Sequence, residues 1–177
     1  MGVRVVPKIQ IDTRQQSGKH THVDRWFEQN GVPFFYKKLD FGDYATDGSN
    51  VVCDTKKDVQ ELAGNLGRDH ARFTRECERA AAAGYRLVIL VEQHPEYNGV
   101  GAGAWTNGLC ARCRRCNPRD RGRGCQKYRF KPIQGPQLAA IMSTMERKYG
   151  VRFEFCSRRD TARRICELLG IEVGDAD

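Results

Sequence analysis

Tyr85-Arg86-Leu87-Val88-Ile89-Leu90-Val91-Glu92 is the stretch on which the fold turns. An unbroken apolar run from Leu87 to Val91 has no polar face, so the strand it forms must be covered on both sides. Upstream, Asp58 to Ala83 reads as one long helix ended by Gly84, with Val59, Leu62, Leu66, Phe73, Cys77 and Ala80 along its apolar stripe. Gly64 and Gly67 weaken the middle of that helix. Before it, Asp43–Ala45 and Val51–Lys56 read as two arms of a hairpin turned by Thr46-Asp47-Gly48-Ser49-Asn50. Further upstream lie a strand ending at Asp12, a helix from His20 to Asn30 stopped by Gly31, and an aromatic strand from Pro33 to Leu39. Downstream, Gln93–Pro132 is loop-like. A helix over Pro136–Tyr149, a strand over Val151–Cys156 and a last helix capped by Ser157 or Asp160 and closed by Gly170 complete the chain. This order predicts an α/β fold, a mixed β-sheet flanked by helices, in a single domain over 1–177 with an insertion at 93–132.

Charge singles out the insertion. The chain carries 30 Lys plus Arg against 22 Asp plus Glu, a net charge of +8. Arg112, Arg114, Arg115, Arg119, Arg121, Arg123, Lys127, Arg129 and Lys131 lie between Cys110 and Lys131 against Asp120 alone, and the rest of the chain is neutral. A positive patch this focused favours a polyanion such as nucleic acid over a merely solubilising loop. No apolar run is long enough to span a membrane, and Met1 to Lys8 does not read as a secretory leader, so an intracellular protein, cytoplasmic or nucleoid-associated, is expected.

The same insertion concentrates thiols. Cys110, Cys113, Cys116 and Cys125 fall within sixteen residues, with two-residue gaps between the first three. Four thiolates so spaced suit tetrahedral Zn²⁺. Cysteines at two-residue gaps also occur in iron–sulfur ligation, and unliganded cysteine in a loop is the third possibility. Cys53, Cys77, Cys156 and Cys166 stand singly in apolar or helical contexts and read as small core residues.

Asp43, Asp54 and Lys56 form the candidate catalytic group. Asp54 and Lys56 are two apart on one hairpin arm and so share a face. Carboxylates hold a hard divalent ion, and a nearby cation serves the attacking water or the developing charge of phosphodiester hydrolysis. Taken alone, the triplet is read more simply as a solvent-exposed hairpin carrying an ion pair, because charged hairpins are common.

A wider set of residues carries a resemblance. Ile11-Asp12-Thr13-Arg14, Phe41-Gly42-Asp43-Tyr44 and Asp54-Thr55-Lys56 resemble the XPF-type nuclease domain, the structure-specific DNA endonuclease family of the PD-(D/E)xK, restriction-endonuclease-like fold. Glu61-Leu62, Arg68, the strand ending in Glu92, Arg147-Lys148-Tyr149-Gly150 and Asp160-Thr161-Ala162 extend the likeness along nearly the whole chain outside the insertion. The resemblance implies that Asp43 and Asp54 bind Mg²⁺ or Mn²⁺, that Lys56 orients or activates water, that Asp12 supports the metal site and that Arg14 touches phosphate. Asp54 stands where the family has Glu, Thr55 where it has Arg, and Gln15 where an acid is usual. No helix-hairpin-helix pair of the family's kind is read here, so the resemblance brings no substrate preference. It also implies a homodimer through 133–171, where Leu138, Ile141, Met142 and Met145 offer an apolar face.

The expectation is therefore a Mg²⁺-dependent DNA endonuclease, with flap, fork and branched DNA as the substrates to test first. Arg14, Arg68 and the insertion arginines Arg112, Arg114, Arg115, Arg119, Arg121 and Arg123 would contact DNA. Trp105, Tyr128 and Phe130 are candidates either for base stacking or for the core. A non-catalytic zinc-stabilised DNA-binding module is the main alternative. A zinc-stabilised protein binding an acidic partner is another, which salt-dependent DNA binding would separate from both.

Overall fold

Leu87 to Val91 lie in a strand sandwiched between two parallel neighbours and two helical layers. The computed structural model describes residues 7–15, 18, 20–115, 125, 127–128 and 131–173. Its sheet contains β1 (Ile9–Asp12), β2 (Phe34–Lys37), β3 (Tyr44–Thr46), β4 (Val51–Lys56), β5 (Arg86–Val91) and β6 (Arg152–Phe155) in the order β2-β1-β3-β4-β5-β6. β5 runs parallel to β4 and β6, and β2 parallel to β1, while β3 is antiparallel to both β1 and β4. The helices are α1 (Thr21–Gln29), α2 (Val59–Leu66), α3 (His70–Ala82), the one-turn α4 (Gly108–Ala111), α5 (Gly135–Tyr149) and α6 (Thr161–Leu169).

Alternation along β5 explains the double burial. Leu87, Ile89 and Val91 pack with Leu62 and Leu66 of α2, Phe73 and Cys77 of α3, and Leu138 and Met142 of α5. Leu90 belongs to the opposite core, with Val23 and Phe27 of α1 and Ala162 and Ile165 of α6. The single cysteines Cys53, Cys77, Cys156 and Cys166 are buried thiols. Burial pushes Cys77 and Cys166 up to about 12 and Cys156 to about 11, so all three stay protonated at neutral pH.

Three expectations are corrected. The helix expected over Asp58–Ala83 is two helices, broken at Gly67. A Cβ there would lie 2.9 Å from Ile133 Cδ1 and 3.0 Å from the Ala63 carbonyl oxygen, so a side chain at this turn would require Ile133 to shift. The start of the segment read as loop from Gln93 is packed into the core. Residues Pro95–Tyr97 and Gly99–Ala104 form 3₁₀ turns, Ala102, Trp105 and Asn107 are buried, and the Trp105 carbonyl accepts the Gly135 N–H. Trp105 is thus a core residue and not a base-stacking platform. Finally, the apolar face of α5 is not a free surface: Leu138, Met142 and Met145 are buried within the single chain, and Ile141 packs against the same core.

Candidate active site

Asp43 owes its position to the residue before it. Gly42 has φ +64°, and a Cβ on it would sit 2.8 Å from the Cys53 carbonyl oxygen. Only glycine lets the chain approach β4 so closely in the left-handed region. The Asp43 N–H then donates to Cys53 O at 2.8 Å, and Asp12 N–H donates to Asp43 O at 2.9 Å. Ile11, Tyr44 and Cys53 are aligned across β1, β3 and β4. Asp12, Asp43 and Asp54 each lie one residue beyond these partners, at the same end of the three strands.

The three carboxylates have different surroundings. Asp12 is buried and accepts from Arg14 Nε at 2.9 and 3.2 Å and from the Leu39 N–H at 3.1 Å. Arg14 also donates to the Leu39 carbonyl. This pair fastens the end of β1 to the loop after β2, so both residues are engaged within the fold. Asp43 Oδ2 accepts from the Thr55 N–H at 2.9 Å and from the Thr55 hydroxyl at 2.6 Å. Asp54 pairs with Lys56 Nζ, and both side chains are only 12% exposed.

Lys56 is held charged. Burial alone would lower its pKa, but the Asp54 carboxylate, through charge and hydrogen bond, and the charges of Asp43 and Glu61 outweigh that and raise it above the ordinary lysine value. Glu61 is fixed by an N-terminal capping arrangement on α2: its N–H donates to Asp58 Oδ1 at 2.7 Å, and its own Oε2 accepts the Lys57 N–H at 2.8 Å. Asp43 and Asp54 also both push up the Cys53 thiol, after burial. The charges of Asp43, Asp54 and Glu61 thus all favour the protonated form of Lys56.

A family model described as the ERCC4 domain matches residues 11–168. The chain belongs to the ERCC4 domain family. ERCC4 domains are nuclease domains, and the six-stranded mixed sheet with helices on both faces is the restriction-endonuclease-like architecture expected of one. Among solved structures, XPF from Aeropyrum pernix is similar, with a TM-score of 0.58 and 22% identity over 92% of this chain and 63% of that one. The chain therefore spans less than two thirds of that relative. Among curated proteins no sequence matches.

Within this ERCC4 domain the structure brings Asp12, Asp43, Asp54 and Lys56 to one end of the central strands. Among the described residues no three His, Cys, Asp or Glu side chains converge as a metal-ligating group. Arg68 is exposed at the start of α3, 3.6 Å from Asp69. Arg112, Arg114 and Arg115 are exposed beyond α4, whereas Arg119, Arg121, Arg123, Cys116 and Phe130 lie outside the described residues. Cys110 sits on α4, Cys113 N–H donates to Cys110 O at 3.0 Å, and Cys125 Sγ accepts the Tyr128 N–H at 3.3 Å.

His20, His22 and Glu92 form a second polar group, which no spacing in the sequence marks as functional. His22 Nε2 is 3.1 Å from Glu92 Oε1 and His20 Nδ1 is 3.9 Å from it, while His20 Nε2 is 3.3 Å from the Thr55 hydroxyl. Burial raises the Glu92 pKa, and His22 and Arg158 offset part of that rise. The available signal is a carboxylate following a strand buried from Leu87 to Val91, because a buried charge requires partners.

Proposed function

We propose that the chain is a metal-dependent DNA endonuclease that hydrolyses phosphodiester bonds in flap, fork or branched DNA. The observation carrying this reading is the near-buried Asp54–Lys56 pair beside Asp43 at the end of β4 in an ERCC4 domain. Two carboxylates with hard oxygen donors suit Mg²⁺ or Mn²⁺, which commonly take one or two protein carboxylates and complete their shell with water and substrate phosphate. The net negative charge left after Lys56 pairs with Asp54 suits a cation in the same place. Asp43 and Asp54 would hold the ion, whose chemistry when bound is to activate water and neutralise charge on the phosphate. Lys56, kept protonated by its neighbours, donates hydrogen bonds to the water or to the developing oxyanion. Asp12 acts through Arg14 and Leu39 on the end of β1.

Zinc held by Cys110, Cys113, Cys116 and Cys125 is part of the proposal, with an iron–sulfur cluster as the alternative. In support, α4 is anchored to the core through Asn107, whose side chain accepts from Leu109 N–H and donates to Ile133 O, each at 2.9 Å. The N–H donated to Cys125 Sγ suits a sulfur carrying negative charge. From that base the insertion would present its arginines to phosphates. Pairing of two copies through 133–171 would use the outer side of α5, the edge strand β6 or the exposed side of α6, and light scattering that finds only monomer at high micromolar concentration dismisses it.

The decisive experiment is a cleavage panel of single-stranded, duplex, flap, fork and four-way substrates with Mg²⁺, run on wild type, Asp43→Asn and Asp54→Asn. Cleavage should fall by orders of magnitude in both variants with DNA affinity retained. Undiminished Mg²⁺-dependent cleavage in both would remove the assignment. Iron and visible absorbance in the purified protein would replace zinc by a cluster.

A further inference from the structure

On the face of β4 opposite Asp54 and Lys56, a line of polar side chains runs from Asp43 into the interior between β4 and α1. The Thr55 hydroxyl is 2.6 Å from Asp43 Oδ2 and 3.3 Å from His20 Nε2. A hydroxyl has one proton to give, and an ionised carboxylate can only accept. The shorter contact takes the Thr55 proton to Asp43. The hydroxyl oxygen must then accept from His20, which requires a proton on Nε2. His20 is 4% exposed, and its backbone carbonyl accepts the Val23 and Asp24 N–H groups that open α1. The ring meets the Tyr44 ring edge-on at 6.2 Å. Glu92 stands behind it, its own N–H donating to Lys56 O at 2.8 Å, so it is tied to the strand that bears the site.

Asp43 is only partly buried and already accepts the Thr55 N–H, so a second hydrogen bond is not needed to offset its desolvation. What the hydroxyl adds is direction: two donors from one residue converge on the same oxygen and fix the turn of the carboxylate. Resting on the metal-dependent reading above, we infer that His20 is a positioning residue, which through the Thr55 hydroxyl holds the Asp43 carboxylate in its ion-binding orientation. Groups that orient a ligand in this way commonly contribute about 10- to 100-fold to metal affinity.

The test is Mn²⁺ binding to the full chain by calorimetry without DNA, alongside DNA affinity measured without divalent ions. Thr55→Val and His20→Ala should each weaken Mn²⁺ binding about 10- to 100-fold while leaving DNA affinity unchanged. Thr55→Ser keeps the hydroxyl and should bind Mn²⁺ as wild type does, whereas Asp43→Asn should lose binding. Wild-type Mn²⁺ affinity in Thr55→Val and His20→Ala, with binding lost in Asp43→Asn, overturns this inference and leaves the metal reading standing. A Thr55→Ser protein as weak as Thr55→Val shows that packing, not the hydroxyl, matters, and also overturns it. Undiminished binding in Asp43→Asn removes the metal reading and this inference with it. Where a variant fails to fold, ¹⁵N–¹H correlation of the His20 ring in wild type decides: a proton on Nε2 is expected, and a neutral ring protonated only at Nδ1 overturns the inference.

Discussion

Replacing Lys56 by Met tests the site's electrostatics apart from its chemistry. The side chain keeps its length and apolar stem but loses the ammonium that faces Asp54. Both partners are 12% exposed, so the carboxylate that loses this ammonium would have little water, and Asp43 and Glu61 add charge of the same sign. Removing one partner of a buried pair costs roughly 3–5 kcal/mol. The residual exposure puts this case near the lower end, about 3 kcal/mol. At about 2–4 °C per kcal/mol for a domain of this size, Tm should fall by roughly 6–12 °C in ion-free buffer. The double variant Asp54→Asn/Lys56→Met should regain most of the loss, because it removes the carboxylate charge along with the ammonium that offset it. Mg²⁺ should raise Tm more in Lys56→Met than in wild type, since a bound cation replaces the missing charge, and saturation at about 100 times Kd is worth about 2.7 kcal/mol. Cleavage should stay absent throughout. The pH dependence has a definite sign. The folded pKa of Lys56 is raised above the ordinary value of 10.5, so its contribution is complete below that pH and disappears as pH climbs through the folded value. The stability gap between wild type and Lys56→Met should therefore hold from neutral pH to about 10.5 and close above it. Scanning calorimetry across pH, with and without Mg²⁺, makes the measurement. An ion-free Tm equal to wild type, or a double variant as unstable as the single, would refute the reasoning.

Other perturbations address the supports of the site. Gly42→Ala puts a Cβ 2.8 Å from a backbone oxygen at positive φ, so it should destabilise by about 2–3 kcal/mol and displace Asp43, lowering cleavage more than DNA binding; chemical denaturation and kinetics read both. Trp105→Ala should cost about 3–5 kcal/mol while leaving the DNA affinity of the folded fraction unchanged; a selective loss of affinity would return Trp105 to the DNA surface. Cys113→Ser with Cys116→Ser should remove the metal proposed for the cysteine cluster and flatten the dependence of DNA affinity on salt, which is about −0.9 per duplex phosphate contacted. Fluorescence anisotropy across a salt series with elemental analysis checks it, and an unchanged slope in a metal-free variant shows that the metal does not organise the arginines.

What the sequence disclosed and what it hid follow one physical line, the range of the interaction. Leu87–Val91 announced a doubly covered strand because burial on both faces is a property of the strand's own composition. The Asp54–Lys56 pair was readable because a period of two is local. The helix break at Gly67 was only half readable. Glycine lowers helix propensity anywhere, but its consequence here depends on Ile133 arriving from 66 residues away to occupy the space a side chain would fill. Trp105 and Asn107 looked like insertion because their partners, Gly135 and Ile133, lie beyond the cysteine cluster. His20 was the least visible residue. Its ties to Thr55 and Glu92 span 35 and 72 positions and cross from α1 to β4 and β5. No spacing rule reaches across such a gap. Yet Glu92 gave a usable warning, since a carboxylate ending a buried strand must be solvated by something. Asking what could solvate it leads to the two histidines at the start of α1, and from His20 through Thr55 to Asp43. A buried charge next to an apolar run is therefore a place to look for the polar residues that support a site, even where those residues carry no motif of their own.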